Sequence, residues 1–108
     1  MLRIIALEQF RKEFKDFPDS TKEDLSSLIE QFISGEKLAK NDLKIFKIDK
    51  NIKILEFRTK DYFGNWRVIS TICKGDILLL VYAFHKKTQQ LPGKDKNIIK
   101  PRIKRVQL

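Results

Sequence analysis

Little in this sequence is suited to holding a metal ion or a disulfide. It has one cysteine, Cys73, and one histidine, His85. A single thiol excludes an internal disulfide framework and a multi-cysteine zinc site, and a single imidazole excludes a histidine cluster, so no metal and no cofactor is expected. Glycine is scarce, with four in 108 residues, and neither a P-loop nor a G-x-G-x-x-G pattern occurs; such loops need glycine where the backbone closes around phosphate. Long apolar runs are lacking too. The longest, residues 77–84, has eight residues, whereas a membrane-spanning helix takes about 20. The apolar stretch at the N-terminus is too short for a secretory signal, so the expected location is the cytoplasm, away from any membrane.

Acidic residues are the other shortage. There are 14 against 23 Lys and Arg, a net charge of +9, while 42% of residues are apolar. That apolar share suffices for one packed core, and the length suits a single domain over residues 1–108. A small basic domain of this kind implies a polyanionic partner. The charge is also uneven. Residues 1–42 carry 7 basic and 9 acidic side chains, a net −2, and residues 43–108 carry 16 and 5, a net +11.

The near-neutral first part has helical periodicity. Phe10, Phe14 and Phe17 recur at i, i+4 and i+7, and Pro18 stops that segment. Ser20 and Glu23 have the spacing of a capping box, and Leu25, Leu28, Ile29, Phe32 and Ile33 then form one stripe. Gly35 fits a helix C-terminus. A short strand over residues 2–6 precedes this hairpin, whose phenylalanines are core. The basic part has strand periodicity. Over residues 53–60, Leu55, Phe57 and Thr59 alternate with Glu56, Arg58 and Lys60. Over residues 66–73, Trp66, Val68, Ser70 and Ile72 alternate with Arg67, Ile69, Thr71 and Cys73. With residues 43–48 and the apolar run 77–85, this makes a four-stranded meander joined by tight turns. A last basic segment, residues 94–106, has the composition of a short helix that Pro101 is expected to kink or shorten.

Three neighbouring strands thus carry Arg58, Arg67 and the Lys86-Lys87 pair. Where these share a face, they form a cationic patch opposite the hairpin, rimmed by Lys94, Lys96, Lys100, Arg102, Lys104 and Arg105. Lys60 joins them as an RNA-binding candidate, and Tyr62, Phe63 and Trp66 lie where an aromatic ring could stack on an unpaired base. Such a surface suits RNA better than duplex DNA, because no helix-turn-helix signature is present. The plainer alternatives are that Arg58 pairs with Glu56 or Asp61, that Trp66 is core, and that Lys44, Lys47, Lys50 and Lys53 are solvating charges.

The run Ala83-Phe84-His85-Lys86-Lys87-Thr88-Gln89 with Pro92 resembles the F-x-K-K-T strand end, proline and basic helix of RelE/HigB-like toxins of type II toxin–antitoxin systems, in particular their phage-derived HigB branch. Leu55-Glu56-Phe57-Arg58 resembles that branch's L-x-E-L-R strand without its spacer, and Trp66-Arg67-Val68 its aromatic-R-V strand. Lys94-Asp95, Lys100 and Arg102 follow its helix pattern. The resemblance implies an α+β, RelE/ParE-like fold: a short strand and helical hairpin on a four-stranded, mainly antiparallel sheet, with a short C-terminal helix. It implies a cofactor-free, ribosome-dependent mRNA endoribonuclease (mRNA interferase) that inhibits translation, with a HigA-like helix-turn-helix antitoxin through which the complex binds operator DNA. Arg58, Arg67, Lys86 and Lys87 carry over as phosphate-binding or catalytic positions. His85 occupies the variable x, and its claim is chemical: it is the natural general acid near pH 7. Pro101 departs from the family pattern, which bears on Arg102. Two other readings remain open: a ParE-like gyrase inhibitor of the same fold, and a non-catalytic RNA-binding module.

Overall fold

The computed structural model describes residues 2–62, 64–86 and 93–106. Along the chain run β1 (Arg3–Ala6), α1 (Glu8–Lys15), α2 (Asp19–Ile33), β2 (Leu43–Asp49), β3 (Ile52–Asp61), β4 (Gly64–Cys73), β5 (Ile77–Lys86) and α3 (Gly93–Val106). The expected meander is present as β2 to β5, every adjacent pair antiparallel. The short first strand joins it: β1 lies parallel to β5, giving one sheet in the order β1-β5-β4-β3-β2.

Both faces of this sheet are covered, each by a different helical layer. On one face, Phe10, Phe17, Leu25 and Ile29 from α1 and α2 pack against Leu55, Phe57, Val68, Leu78 and Leu80. On the other, Ile99 and Ile103 of α3 pack against Ile54, Ile69, Leu79 and Val81. β5 is apolar on both sides because it serves both cores, Leu78 and Leu80 one way and Leu79 and Val81 the other. Burying one such side chain contributes about 1.5–3 kcal/mol.

Two local expectations need correction. The capping box does not form. α2 begins at Asp19, directly after Pro18, and has no side-chain cap, so Ser20 falls inside the first turn instead of at its boundary. Pro101 does not end α3, which runs through it to Val106. Proline denies a hydrogen bond to the carbonyl four residues back; that residue, Asn97, is exposed, as is Pro101, so water can serve the carbonyl while Ile99 and Ile103 hold the opposite side. At the end of α2 the expectation holds. Gly35 has φ 88°, and the Gly35 and Glu36 amides donate back to the Phe32 and Gln31 carbonyls at 3.1 and 3.0 Å, a glycine-terminated helix end.

β5 outruns β1. The last β1 residue, Ala6, pairs with Leu80, which among the described residues leaves the far half of β5 without a strand on that side. Charged side chains take over the edge. The Ala83 amide donates to Glu13 Oε1 at 3.2 Å, and Arg102 donates to the Val81 carbonyl at 2.9 Å. Arg102 also grips both Glu13 oxygens, at 2.9 and 2.8 Å. Here too β5 has its one irregularity. Ile69 pairs with Tyr82 but Ser70 with Leu80, so Val81 is an extra residue, a bulge.

Candidate functional site

Residues opposite one another in a sheet share a face, so the register settles which side chains meet. Arg58 pairs with Arg67, and Arg67 with Phe84. One step toward the β3–β4 turn, Lys60 pairs with Asn65 and Asn65 with Lys86. One step the other way, Lys44 pairs with Glu56, Glu56 with Ile69 and Ile69 with Tyr82. These three rows stand on the α3 face, opposite the helical hairpin. Arg58, Arg67 and Lys86 are therefore brought together as expected, with Lys60 and Lys44 at the margins.

At their centre is a carboxylate. Glu56 is 1% exposed; its Oε1 lies 3.0 Å from Arg58 Nε and 3.8 Å from Arg67 Nε. Of the two partners weighed for Arg58, Glu56 is the one found. Asp61 is engaged by the Thr21 hydroxyl at 2.6 Å, the Gly64 amide at 3.1 Å and the Trp66 indole N–H at 2.9 Å. Arg67 is nearly buried, and its guanidinium donates to the Trp66 and Thr59 carbonyls at 3.0 and 3.4 Å. Burial, and then the charge of Arg58, lower its pKa against the opposing pull of Glu56. Lys86 is 6% exposed. Burial lowers its pKa, Glu56 opposes the shift, and Arg67, Arg58 and Lys44 add to it. A groove of about 440 Å³ opens beside these groups, lined by Asn41, Asp42, Arg58, Thr59, Lys60, Asn65 and Arg67. A separate cavity of about 350 Å³ lies between β1 and the end of α3 and is lined by Ile5, Cys73, Lys74, Ile77, Leu79 and Val106.

Other expected site residues stand elsewhere. The bulge at Val81 reverses the alternation of β5. Tyr82, Phe84 and Lys86 consequently face the arginines, and His85 faces the hairpin. There His85 stacks on Trp66, ring centroids 4.3 Å apart and planes 17° apart, and Trp66 in turn meets Phe17 at 4.8 Å. His85 is thus not brought to Arg58, Arg67 and Lys86, and Trp66 belongs to the hairpin-side core. A side chain at Gly64 would run into His85 Nε2. Tyr82 and Phe84, stacked at 5.0 Å, are aromatics on the cationic face, as is Phe46, whose ring lies 5.4 Å from the Lys44 ammonium. The Tyr82 hydroxyl donates to Asp95 at 2.7 Å, and burial with that bond raises its pKa. Of the α3 cations, Lys100 lies 3.8 Å from Asp49, Arg102 is taken by Glu13, and Lys104 is exposed. Lys87, Phe63 and the Lys94 side chain fall outside the described residues. The residue that reading the sequence missed as a site member is Glu56. Its phase, two before Arg58, puts it on the right side, but nothing in a sequence says that it is buried.

Among the described residues, no three His, Cys, Asp or Glu side chains gather as a metal site, and no helix is long and apolar enough to cross a membrane. What the site offers is fixed positive charge with hydrogen-bond donors, a lysine whose ammonium form is disfavoured, and an open polar groove.

A family model, the phage-derived protein Gp49-like family, matches residues 12–104. No curated protein matches. Among solved structures the chain is similar to one in the intact Escherichia coli RelBE toxin–antitoxin complex, at 10% identity and TM-score 0.56, covering 82% of this chain and 100% of that one. It is also similar to the isolated E. coli RelE toxin, at 9% identity and TM-score 0.57, covering 94% and 98%. The fold is RelE-like.

Proposed function

Because the chain belongs to the phage-derived Gp49-like family, we infer that it is the toxin of a type II toxin–antitoxin pair, of the HigB branch, and that it acts as an endoribonuclease on translated mRNA. The observation that carries this reading is the row structure on the α3 face: Arg58, Arg67 and Lys86 meet on three adjacent strands beside an open groove. RNA brings its own nucleophile, the 2′-hydroxyl, so cleavage needs alignment, charge stabilisation and proton transfer. The 2′-oxygen attacks the adjacent phosphorus and loses its proton. The P–O5′ bond then breaks, leaving a 2′,3′-cyclic phosphate and a 5′-hydroxyl that takes up a proton.

Arg58 and Arg67 supply the fixed charge for the pentavalent phosphorane, guanidinium being matched in shape to two phosphate oxygens. Lys86 is the base: its lowered pKa brings the neutral amine closer to physiological pH. The exposed Lys60, with Lys100 and Lys104 of α3, attracts the RNA backbone without sequence preference. The partners that follow are mRNA on the ribosome and a HigA-like antitoxin that carries the complex to operator DNA, all in the cytoplasm.

The test is expression in a bacterial host followed by mapping of transcript ends, with purified protein on translated mRNA beside it. Cut transcripts and growth arrest are expected for wild type, with arrest lost in Arg67→Ala and Lys86→Ala. Each substitution should lower cleavage by about 10²–10³-fold, the scale for removing one transition-state charge contact. Arrest with DNA damage and intact transcripts would instead indicate a gyrase inhibitor of the same fold. RNA binding without arrest would leave a non-catalytic module.

A further inference from the structure

The best-buried charge on the cationic face is negative. Glu56 is 1% exposed, and its carboxylate is shared between two arginines that are cross-strand partners. Like charges directly opposite one another in a sheet repel, and a buried carboxylate without a counter-charge costs several kcal/mol. Each side of this arrangement therefore needs the other. We propose that Glu56 is the positioning residue of the site: it holds the Arg58 and Arg67 guanidiniums side by side before RNA arrives, and leaves their outward edges to the substrate phosphate. The proposal rests on the nuclease reading above and deepens it.

The geometry supports this assignment. Both ion pairs run to the arginine Nε atoms. In Arg67 the neighbouring Nη1 is held by the Thr59 and Trp66 carbonyls. The carboxylate holds the two Nε groups by charge without a hydrogen bond to either, and the two carbonyls set the orientation of Arg67, which is what alignment with a phosphorane needs. Glu56 also acts on Lys86. The charged groups facing Lys86 are Lys44 from β2, Glu56 and Arg58 from β3, and Arg67 from β4; Glu56 alone among them favours the ammonium form. The acid of α3, Asp95, is engaged by the Tyr82 hydroxyl.

Losing the Glu56 charge should therefore act in opposite directions on binding and on chemistry. Glu56→Gln leaves the face more positive by one charge, so RNA should bind more tightly, by roughly tenfold at low salt. Freed arginines should cost turnover about a hundredfold. A residue serving stability alone would not give tighter binding with slower cleavage.

The experiment measures three quantities on Glu56→Gln, Glu56→Asp and wild type: affinity for a single-stranded RNA oligonucleotide, single-turnover cleavage of translated mRNA, and the titration midpoint of Lys86 by NMR. Glu56→Gln is expected to bind more tightly, cleave more slowly and titrate Lys86 at lower pH. Glu56→Asp keeps the charge but shortens the reach, so its affinity and Lys86 midpoint should stay near wild type while cleavage falls. It carries the test should Glu56→Gln not fold. Unchanged cleavage in Glu56→Asp, or binding and cleavage falling together in Glu56→Gln, overturns the proposal. If wild type itself cuts no RNA, the nuclease reading fails. The affinity and Lys86 titration then still decide whether Glu56 organises these cations.

Discussion

Lys86 and His85 are neighbours in the chain with opposite environments, and each makes a separable prediction. The Lys86 pKa in the folded protein lies below the ordinary value of 10.5, with burial the largest cause. Between the folded and unfolded values the unfolded chain binds more protons, so stability rises with pH across that window. Below it the buried ammonium is a constant cost. Lys86→Met should consequently stabilise the protein at pH 6 by about 1 kcal/mol, and the gain should shrink as the pH approaches 10.5. Denaturant melts over that range check it, and loss of cleavage in the same variant would show a site residue kept at the expense of stability. His85 behaves the other way. It stacks on Trp66 on the hairpin face, so His85→Ala should cost about 1–2 kcal/mol of stability and leave single-turnover cleavage within about threefold of wild type, since RT converts so small a change to well under 1 kcal/mol. A cleavage loss comparable to that of Lys86→Ala would return His85 to the chemistry.

At the scale of elements, the unpaired half of β5 is the exposed point of the fold. An open strand edge offers its amides and carbonyls to other chains. Here Glu13 of α1 and Arg102 of α3 close it from either side, and Arg102 also lies over the Tyr82 ring at 5.2 Å. Neither side chain is freely solvated, being 15% exposed for Arg102 and 26% for Glu13. The pair should therefore exceed an ordinary surface salt bridge. A double-mutant cycle on Glu13→Ala and Arg102→Ala is expected to give a coupling of about 1–3 kcal/mol, and both single variants should be more prone to aggregate. Additive effects would mean that the two residues guard the edge independently. This role takes Arg102 away from the RNA-binding tasks suggested by its place in a basic segment.

Over the whole molecule, charge and architecture divide along the same line. The hairpin half has a net −2 and the sheet-and-tail half +11, and on the proposed function it is the latter that attracts RNA. With three or four phosphates contacted by Arg58, Arg67, Lys86 and Lys60, the log of RNA affinity should fall with log salt at a slope of about −2 to −3, from ~0.7 per phosphate on a single strand. Lys60→Ala should flatten that slope by about 0.7 without altering the pH profile of cleavage. Much of this division could be read from the sequence. The alternation of β3 and β4 put Glu56 with Arg58 and separated Trp66 from Arg67, and both placements hold. What alternation within a strand does not give is register between strands, so the meeting of Arg58 with Arg67 required the sheet itself. The apolar run of β5 concealed the bulge, because a strand buried on both faces has no polar beat from which to notice a missed step. Burial of Glu56 depends on cross-strand neighbours far away in sequence, Lys44, Arg67 and Ile69 among them, and no local pattern marks it.

The bulge at Val81 also gives β5 a reading frame. Side chains before it and after it are counted on different beats, and the frame alone determines whether an amine or an imidazole is presented to the arginines. Were β5 to pair straight through at its present length, Asn65 would meet His85 instead of Lys86, turning Lys86 toward the hairpin and delivering His85 to the cationic face; removing Val81 itself would keep the present pairs and leave Lys86 where it is. A slip of one residue in pairing, with every functional side chain retained, would thus replace a lysine-centred site by a histidine-centred one.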